Sequence, residues 1–287
     1  MATLLIVSLL SIAVIPIVCA IAAPFALRPG GRGRPIRVGI FLAVYLGTEI
    51  IGLLWATVLW LGLGIGGRRT TARYVEANYA LIRRVLRWLY VSGTTLFNAR
   101  IRFPDTIGEP ATGPVLVLSR RSGPADSFLV IHGLLTHRMR NPRLVLSDTL
   151  QFDPLIDMVL SRVPHHFVDL TDPALEHGED AAAIMGTLAS DLGPRDAVVV
   201  FPESAAGVVA AMDAAPTADV VFVAHTGLDD MRSVSEIWQN IPLSAPVEAT
   251  WSTVSATEIP TGAEAREAWL QDSWTTADRW VAERRRV

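Results

Sequence analysis

Lysine is absent from the sequence; all 25 basic residues are arginine, a usage that by itself assigns no mechanism. Cysteine occurs once, as Cys19 inside an apolar run, which excludes an intrachain disulfide and a thiolate metal site and leaves a buried bystander. No two histidine or acidic residues fall at a convincing ligand spacing, so neither a metal nor another resident cofactor is expected. A Gly-x-Ser-x-Gly elbow and a Cys/His pairing are both lacking, which leaves a hydrolase without its usual nucleophiles. Internal repeats and low-complexity tracts are lacking too. Acidic residues are scarce at one end. The first 100 residues carry 11 arginines against Glu49 and Glu76, about +9, whereas the rest carries 14 arginines against 26 acids, about −12. No base-stacking aromatic pattern interleaves the arginines, which argues against nucleic acid. A basic, apolar N-terminal part joined to an acidic part points instead to an anionic membrane surface as partner.

What is present begins with residues 3–27, an uncharged apolar run long enough to span a bilayer core. It lacks the positive n-region of a signal peptide and is too long for one. The turn "RPGGRGRPIR" follows, and then a second apolar run, 38–66, interrupted by Glu49 and ending in "GLGIGG". Arginines flank this second run on both sides, in the turn and at Arg68, Arg69 and Arg73. If both runs span, one cluster faces the wrong side. The expectation is that the first run spans while the second dips into the leaflet and returns; a spanning hairpin is the alternative. From Tyr74 to Tyr90 a helical spacing of Leu81, Val85, Trp88 and Leu89 runs beside Arg83, Arg84 and Arg87. Such a helix suits the headgroup layer, and an ordinary packing helix is the plainer reading. The organisation expected is a membrane-embedded helical hairpin over 1–66, a basic amphipathic interfacial helix over 67–96 and an α/β domain over 97–287.

From Phe97 onward short β-branched runs alternate with helical ones. Strands are expected near 98–103, 114–119, 143–147, 165–169, 197–201, 219–224 and 246–251, and helices near 126–137, 149–162, 174–191 and 263–285. This alternation predicts an α/β fold, a layered and largely parallel sheet flanked by helices. The runs "VVVF" and "VVFV" read as strands covered on both faces. Trp269, Trp274 and Trp280 of the last helix read as a packing face.

The order of features in this region carries the chemistry. The strand "PVLVLS" leads into the turn "RRSGPAD", with Arg121 followed five residues later by Asp126. The block "DPLIDMVLSRVPHHFVDL" comes next, and about 80 residues after Arg121 stands "VVVFPES", followed by "DVVFVAHTG". Over residues 97–251 this order resembles the PlsC-type glycerolipid acyltransferases, also called lysophospholipid acyltransferases. The resemblance implies transfer of an acyl chain from acyl-CoA or an acyl carrier protein to lysophosphatidate or a related lysophospholipid. It implies no cofactor beyond that acyl donor, a phospholipid membrane as partner and a place at the inner or plasma membrane with the α/β part on the cytoplasmic side. No protein partner is indicated.

The family's first motif is usually Asn-His-x4-Asp, in which the His takes the proton of the acceptor hydroxyl and the Asp holds the imidazole in the useful tautomer. Asp126 matches the Asp. Arg121 stands at the His position and Arg120 at the Asn position. A guanidinium with a pKa above about 12 cannot serve as that base. The family's second block is commonly Phe-Pro-Glu-Gly-Thr-Arg. Phe201, Pro202 and Glu203 match it, Ser204 replaces the Gly and no Arg follows. The resemblance therefore implies Asp126 and Arg121 as the catalytic pair of positions. Arg120, Ser122, Gly123, Phe201, Pro202, Glu203 and Arg162 are the substrate contacts it implies, with activity weakened or lost. Plainer readings stand beside these: Asp126 as a helix N-cap, Glu203 as a strand-end residue, Arg162 as a surface residue, and Arg120 with Arg121 as an anion site at a helix N-terminus. His132, His165, His166 and His225 offer no spacing that would let them replace the missing base.

Overall fold

The structure is a computed structural model that describes residues 33–65, 71–103, 113–119, 124–147, 153–168, 179–200, 205–228 and 234–285. In chain order its elements are α1 (Arg34–Leu59, running on into a π-helical turn, Trp60–Gly64), α2 (Ala72–Phe97), β1 (Ile101–Arg102), β2 (Val115–Ser119), α3 (Pro124–Thr136), β3 (Asn141–Ser147), α4 (Pro154–Leu160), β4 (His165–Val168) and α5 (Glu179–Ala189). They continue with β5 (Asp196–Val200), α6 (Ala205–Ala214), β6 (Asp219–Thr226), α7 (Val234–Asn240), β7 (Val247–Val254), a 3-10 turn (Ala256–Glu258) and α8 (Ala263–Arg285). They form two compact units. The first holds α1, α2, α4 and α7; the second holds β2 to β7 with α3, α5, α6 and α8.

In the first unit Gly33 takes a left-handed φ of 65° just before α1, a conformation that glycine adopts without steric cost, and Pro35 sits in the first turn. The second apolar run does not dip and return. A re-entrant path needs a reversal within the run, and α1 passes through Glu49 without a break. The helix has two faces. Thr48, Glu49, Gly52, Leu53 and Ala56 are buried, while Ile51, Leu54, Val58, Leu61 and Ile65 are exposed. Glu49 is thus on the inner face, so its charge marks packing rather than a break. At Gly52 an added Cβ would come within 2.5 Å of the Leu155 side chain, which is why a residue without one lets α4 approach so closely. Leu53, Ala56, Leu81, Leu155 and Val159 form the small core of this unit, with Val85 packed against it. Helix α2 is capped by Thr71 and ends on Asn98 at φ 56°, so that it starts inside the 67–96 span expected and runs on both sides of the periodic stretch 74–90. Arg34 donates to the carbonyls of Gln239 and Ile241, each at 2.7 Å, and Asn98 donates to the Leu243 carbonyl at 3.1 Å, tying these helices to the end of α7 and the chain after it.

The second unit is built on a sheet whose strands lie in the order β7-β6-β2-β5-β3-β4. The run β6-β2-β5-β3-β4 is parallel and β7 is antiparallel to β6, as the α/β reading predicts. Every residue of β2 is buried. Even-numbered residues of the central strands, among them Leu116, Leu118, Val198 and Phe222, pack against α5, α6 and α8. Trp269 and Trp274 each meet Phe222 with ring centroids 5.5 Å apart, so they are core packing as expected, while Trp280 lies under the Arg284 guanidinium. On the other sheet face Val115, Val117 and Val221 meet Leu134 of α3 and Trp251 of β7 around a cavity of about 20 Å³, room for about one water. At the edge where the parallel strands begin, Arg143 pairs with Asp196 at 2.7 Å and Arg140 donates to the Pro194 carbonyl at 2.8 Å. Arginines close that edge; the connections that could carry chemistry leave the opposite one.

Candidate active site

Parallel strands all end at the same edge, and their order decides which connections meet there. From β2 the chain runs outward to β3 and β4, returns to fill the place of β5 between β2 and β3, and then crosses to β6 on the other side of β2. This reversal beside β2 is a topological switch point, where open α/β sheets bind ligands beyond their strand ends. Leu118 is the register partner of Val200, and Ser119 that of Val223. The segment that begins at Arg120 and the one that begins at Phe201 therefore start from neighbouring strand ends, about 4.8 Å apart. Some 80 residues of sequence separate them, and only the strand order brings their starting points together.

Arg120, Arg121, Ser122, Gly123, Phe201, Pro202 and Glu203 lie outside the described residues, as does the side chain of Asp126. The backbone places Asp126 as the third residue of α3, which begins at Pro124. An N-cap precedes the first helical residue, so Asp126 is not one; the proline takes the N1 position it favours. Arg162, following α4, belongs to the first unit. Its Nη1 donates to the Ala56 carbonyl at 2.8 Å and its guanidinium lies 5.9 Å from the Tyr74 ring centroid, giving it structural partners within that unit.

The described histidines are poorly placed to act as a base. His132 is 2% exposed within α3, its ring stacked on Phe128 and its Nδ1 3.3 Å from the Thr136 hydroxyl. Burial, helped by nearby His137, lowers its pKa to about 4, so it is neutral and sealed at physiological pH. Folding thus disfavours its protonation relative to an unfolded pKa near 6.5. Stability is fully present above about pH 6.5 and falls, as pH drops toward 4, by up to about 1.4 kcal/mol per unit. His132→Phe is expected to flatten that acid limb in thermal melts without lowering the neutral-pH melting temperature comparably. His225 is the residue that sequence spacing could not place. It stands two positions beyond Val223, the partner of Ser119, at the same edge of the strand next to β2, yet it is 0% exposed. His165 and His166 are on β4, three strands from β2, about 14 Å away at the usual strand spacing.

Neither protein-family models nor curated protein sequences match the chain. Among solved structures it is similar to the 1-acyl-sn-glycerophosphate (LPA) acyltransferase PlsC from Thermotoga maritima, with a TM-score of 0.54 at 13% identity over 87% of this chain and 98% of that one. The fold is PlsC-like. At that identity the likeness is one of overall fold, and the chemistry of the two strand ends must be argued from this chain's own residues.

Proposed function

We propose that this PlsC-like chain is a membrane-associated protein whose inherited reaction is acyl transfer from acyl-CoA, or an acyl carrier protein, to lysophosphatidate or a related lysophospholipid, with turnover weakened or lost. The observation that carries this reading is the adjacency of the β2 and β5 ends, which start the two signature segments side by side at a switch point. In the inherited reaction the acceptor hydroxyl attacks the thioester carbonyl, the thiolate leaves, and a base removes the hydroxyl proton. Arg121 cannot accept that proton, and the burial of His132 and His225 keeps two imidazoles from doing so instead. The same burial favours a second reading, a non-catalytic lipid-binding or scaffolding protein. A purified full-length chain given acyl-CoA and lysophosphatidate is expected to show near-background transfer, and retention of lysolipid without turnover favours the second reading. Robust turnover that ignores substitution at position 121 overturns the assignment of roles.

The first unit supports membrane association in a particular geometry. The α1 helix and its π-helical turn cover 31 residues, about 46 Å at 1.5 Å per residue, against a hydrocarbon core of about 30 Å. Its exposed stripe of Ile51, Leu54, Val58, Leu61 and Ile65 is apolar, but Arg84 of α2 lies 4.9 Å from the Trp55 ring centroid and Arg162 is bonded to the Ala56 carbonyl. A crossing α1 would carry both guanidinium groups into hydrocarbon, which is costly. Lying in the plane of one leaflet, α1 sinks its stripe into the acyl layer while Arg84, Arg87 and Trp88 of α2 stay among the headgroups. The arginine clusters on either side of the run then share one surface, and the conflict with the positive-inside rule disappears.

A further inference from the structure

The inner face of α1 holds an ionisable group that acyl transfer does not use. Glu49 is 5% exposed, and its Oε2 is buried without meeting a hydrogen-bond donor. Its neighbours are the backbone N–H of Leu155 and the side chain of Asp153, whose carboxylate is close enough to take a hydrogen bond from a protonated Glu49. Asp153 caps α4: its Oδ1 accepts from the Ile156 N–H at 2.8 Å, and its Oδ2 accepts from the Tyr45 hydroxyl. Two ionised carboxylates cannot share a hydrogen bond, and a buried carboxylate oxygen without a donor is costly. One proton removes both difficulties, since a carboxylic acid donates where a carboxylate only accepts. Asp153 has two donors besides Glu49 and is the better anion, which puts the proton on Glu49.

We infer that Glu49 carries a proton which it donates to Asp153, and that this shared proton latches α4 onto α1 and makes the latch weaken as pH rises above the ordinary carboxylate range. The charged and titratable groups on the elements packed around the pair are Arg34, Arg37 and Tyr45 on α1 itself, Asp157 on α4 with Arg162 after it, and Arg73, Tyr74, Glu76, Tyr79, Arg83, Arg84, Arg87 and Tyr90 on α2. Arg162 is engaged with the Ala56 carbonyl, seven residues along α1 from Glu49, and Arg84 with the Trp55 ring. The unfolded chain releases the Glu49 proton in the ordinary carboxylate range, whereas the folded pair keeps it. The folded form therefore binds one more proton, and its stability falls as pH rises through that interval until the pair itself ionises. The geometry makes Gly52 and Leu155 part of the same device, because the close approach of α4 that the latch holds is the one that leaves no room for a Cβ at position 52.

The full-length chain in lipid nanodiscs provides the test. At neutral pH its infrared spectrum is expected to contain the carbonyl stretch of a protonated carboxylic acid, and Glu49→Gln, whose amide still donates to Asp153, removes it. In hydrogen exchange at about pH 7 the amides of α4 open more readily in the wild type than in Glu49→Gln, by up to about tenfold for each pH unit above the ordinary carboxylate range until the pair ionises, and at about pH 4 the two agree. Should Glu49→Gln not fold, Asp153→Asn keeps a capping side chain and is expected to shift or remove the same infrared band. A wild-type spectrum without the band overturns the inference, as does a band or an α4 pH response that survives in the variants.

Discussion

Arg121→His is expected to raise acyl transfer from near background by about 10²–10⁴-fold, the usual contribution of a positioned general base. The gain should require Asp126: adding Asp126→Asn in the Arg121→His background should remove most of it, because an imidazole without its orienting carboxylate loses the useful tautomer. The first turn of α3 already supplies position 126, and β2 already ends one residue before the turn that carries position 121, so the substitution asks for no change of fold. The effect belongs in kcat. A separate deficit is expected in KM, since the second block lacks the arginine that the family's pattern places three residues after its glutamate. That position is Ala206, an exposed residue in the first turn of α6, where a long side chain is accommodated. Arg121→His with Ala206→Arg should therefore lower KM for lysophosphatidate relative to Arg121→His while leaving kcat similar. A folded Arg121→His protein that stays at background with both substitutions present would remove the acyltransferase reading and leave lipid binding.

Which parts of the fold are legible in the sequence follows from which signals are local. The β2, β5 and β6 strands were readable to within two residues because β-branched runs bounded by Gly, Pro and Asp have few other ways to fold. The start of α4 is also local, an Asp-Pro pair serving as N-cap and first helical residue, though the helix begins at 154 rather than at the expected 149. The short α7 has no counterpart among the expected helices, nor does α6, whose mostly small and uniformly apolar side chains leave no periodic stripe to read. Glu49 was misleading for a different reason. A charge within an apolar run reads as an interruption unless its partner is known, and that partner, Asp153, is more than a hundred residues away. The candidate site was legible as two blocks, but that they begin on adjacent strands depends on the order in which the sheet is filled, which no local pattern encodes.

The in-plane placement of α1 makes the other large prediction, one of depth. With Cys19→Ser to remove the native thiol, single cysteines at Ile51, Val58 and Ile65 each lie on the exposed stripe of the first unit. Labelled with a fluorophore in anionic vesicles and quenched by lipids carrying quenchers at graded depths, the three sites should report the same shallow depth to within about 5 Å, as for a helix lying at the interface. A crossing helix instead spreads them by about 21 Å, fourteen residues at 1.5 Å each. The distinction survives whatever residues 1–32 do, because an additional anchor changes affinity without tilting a rigid stripe by that amount. Charge gives a second handle on the same geometry. Arg84→Gln and Arg87→Gln should each weaken binding to anionic vesicles by about fivefold, the effect of roughly 1 kcal/mol per arginine near a charged surface, and should matter little at high salt. A graded depth series together with salt-insensitive binding would place α1 across the bilayer. Arg84 and Arg162 would then have to be solvated inside it, and the separation of an acyl-facing stripe from a headgroup-facing one would have no physical basis.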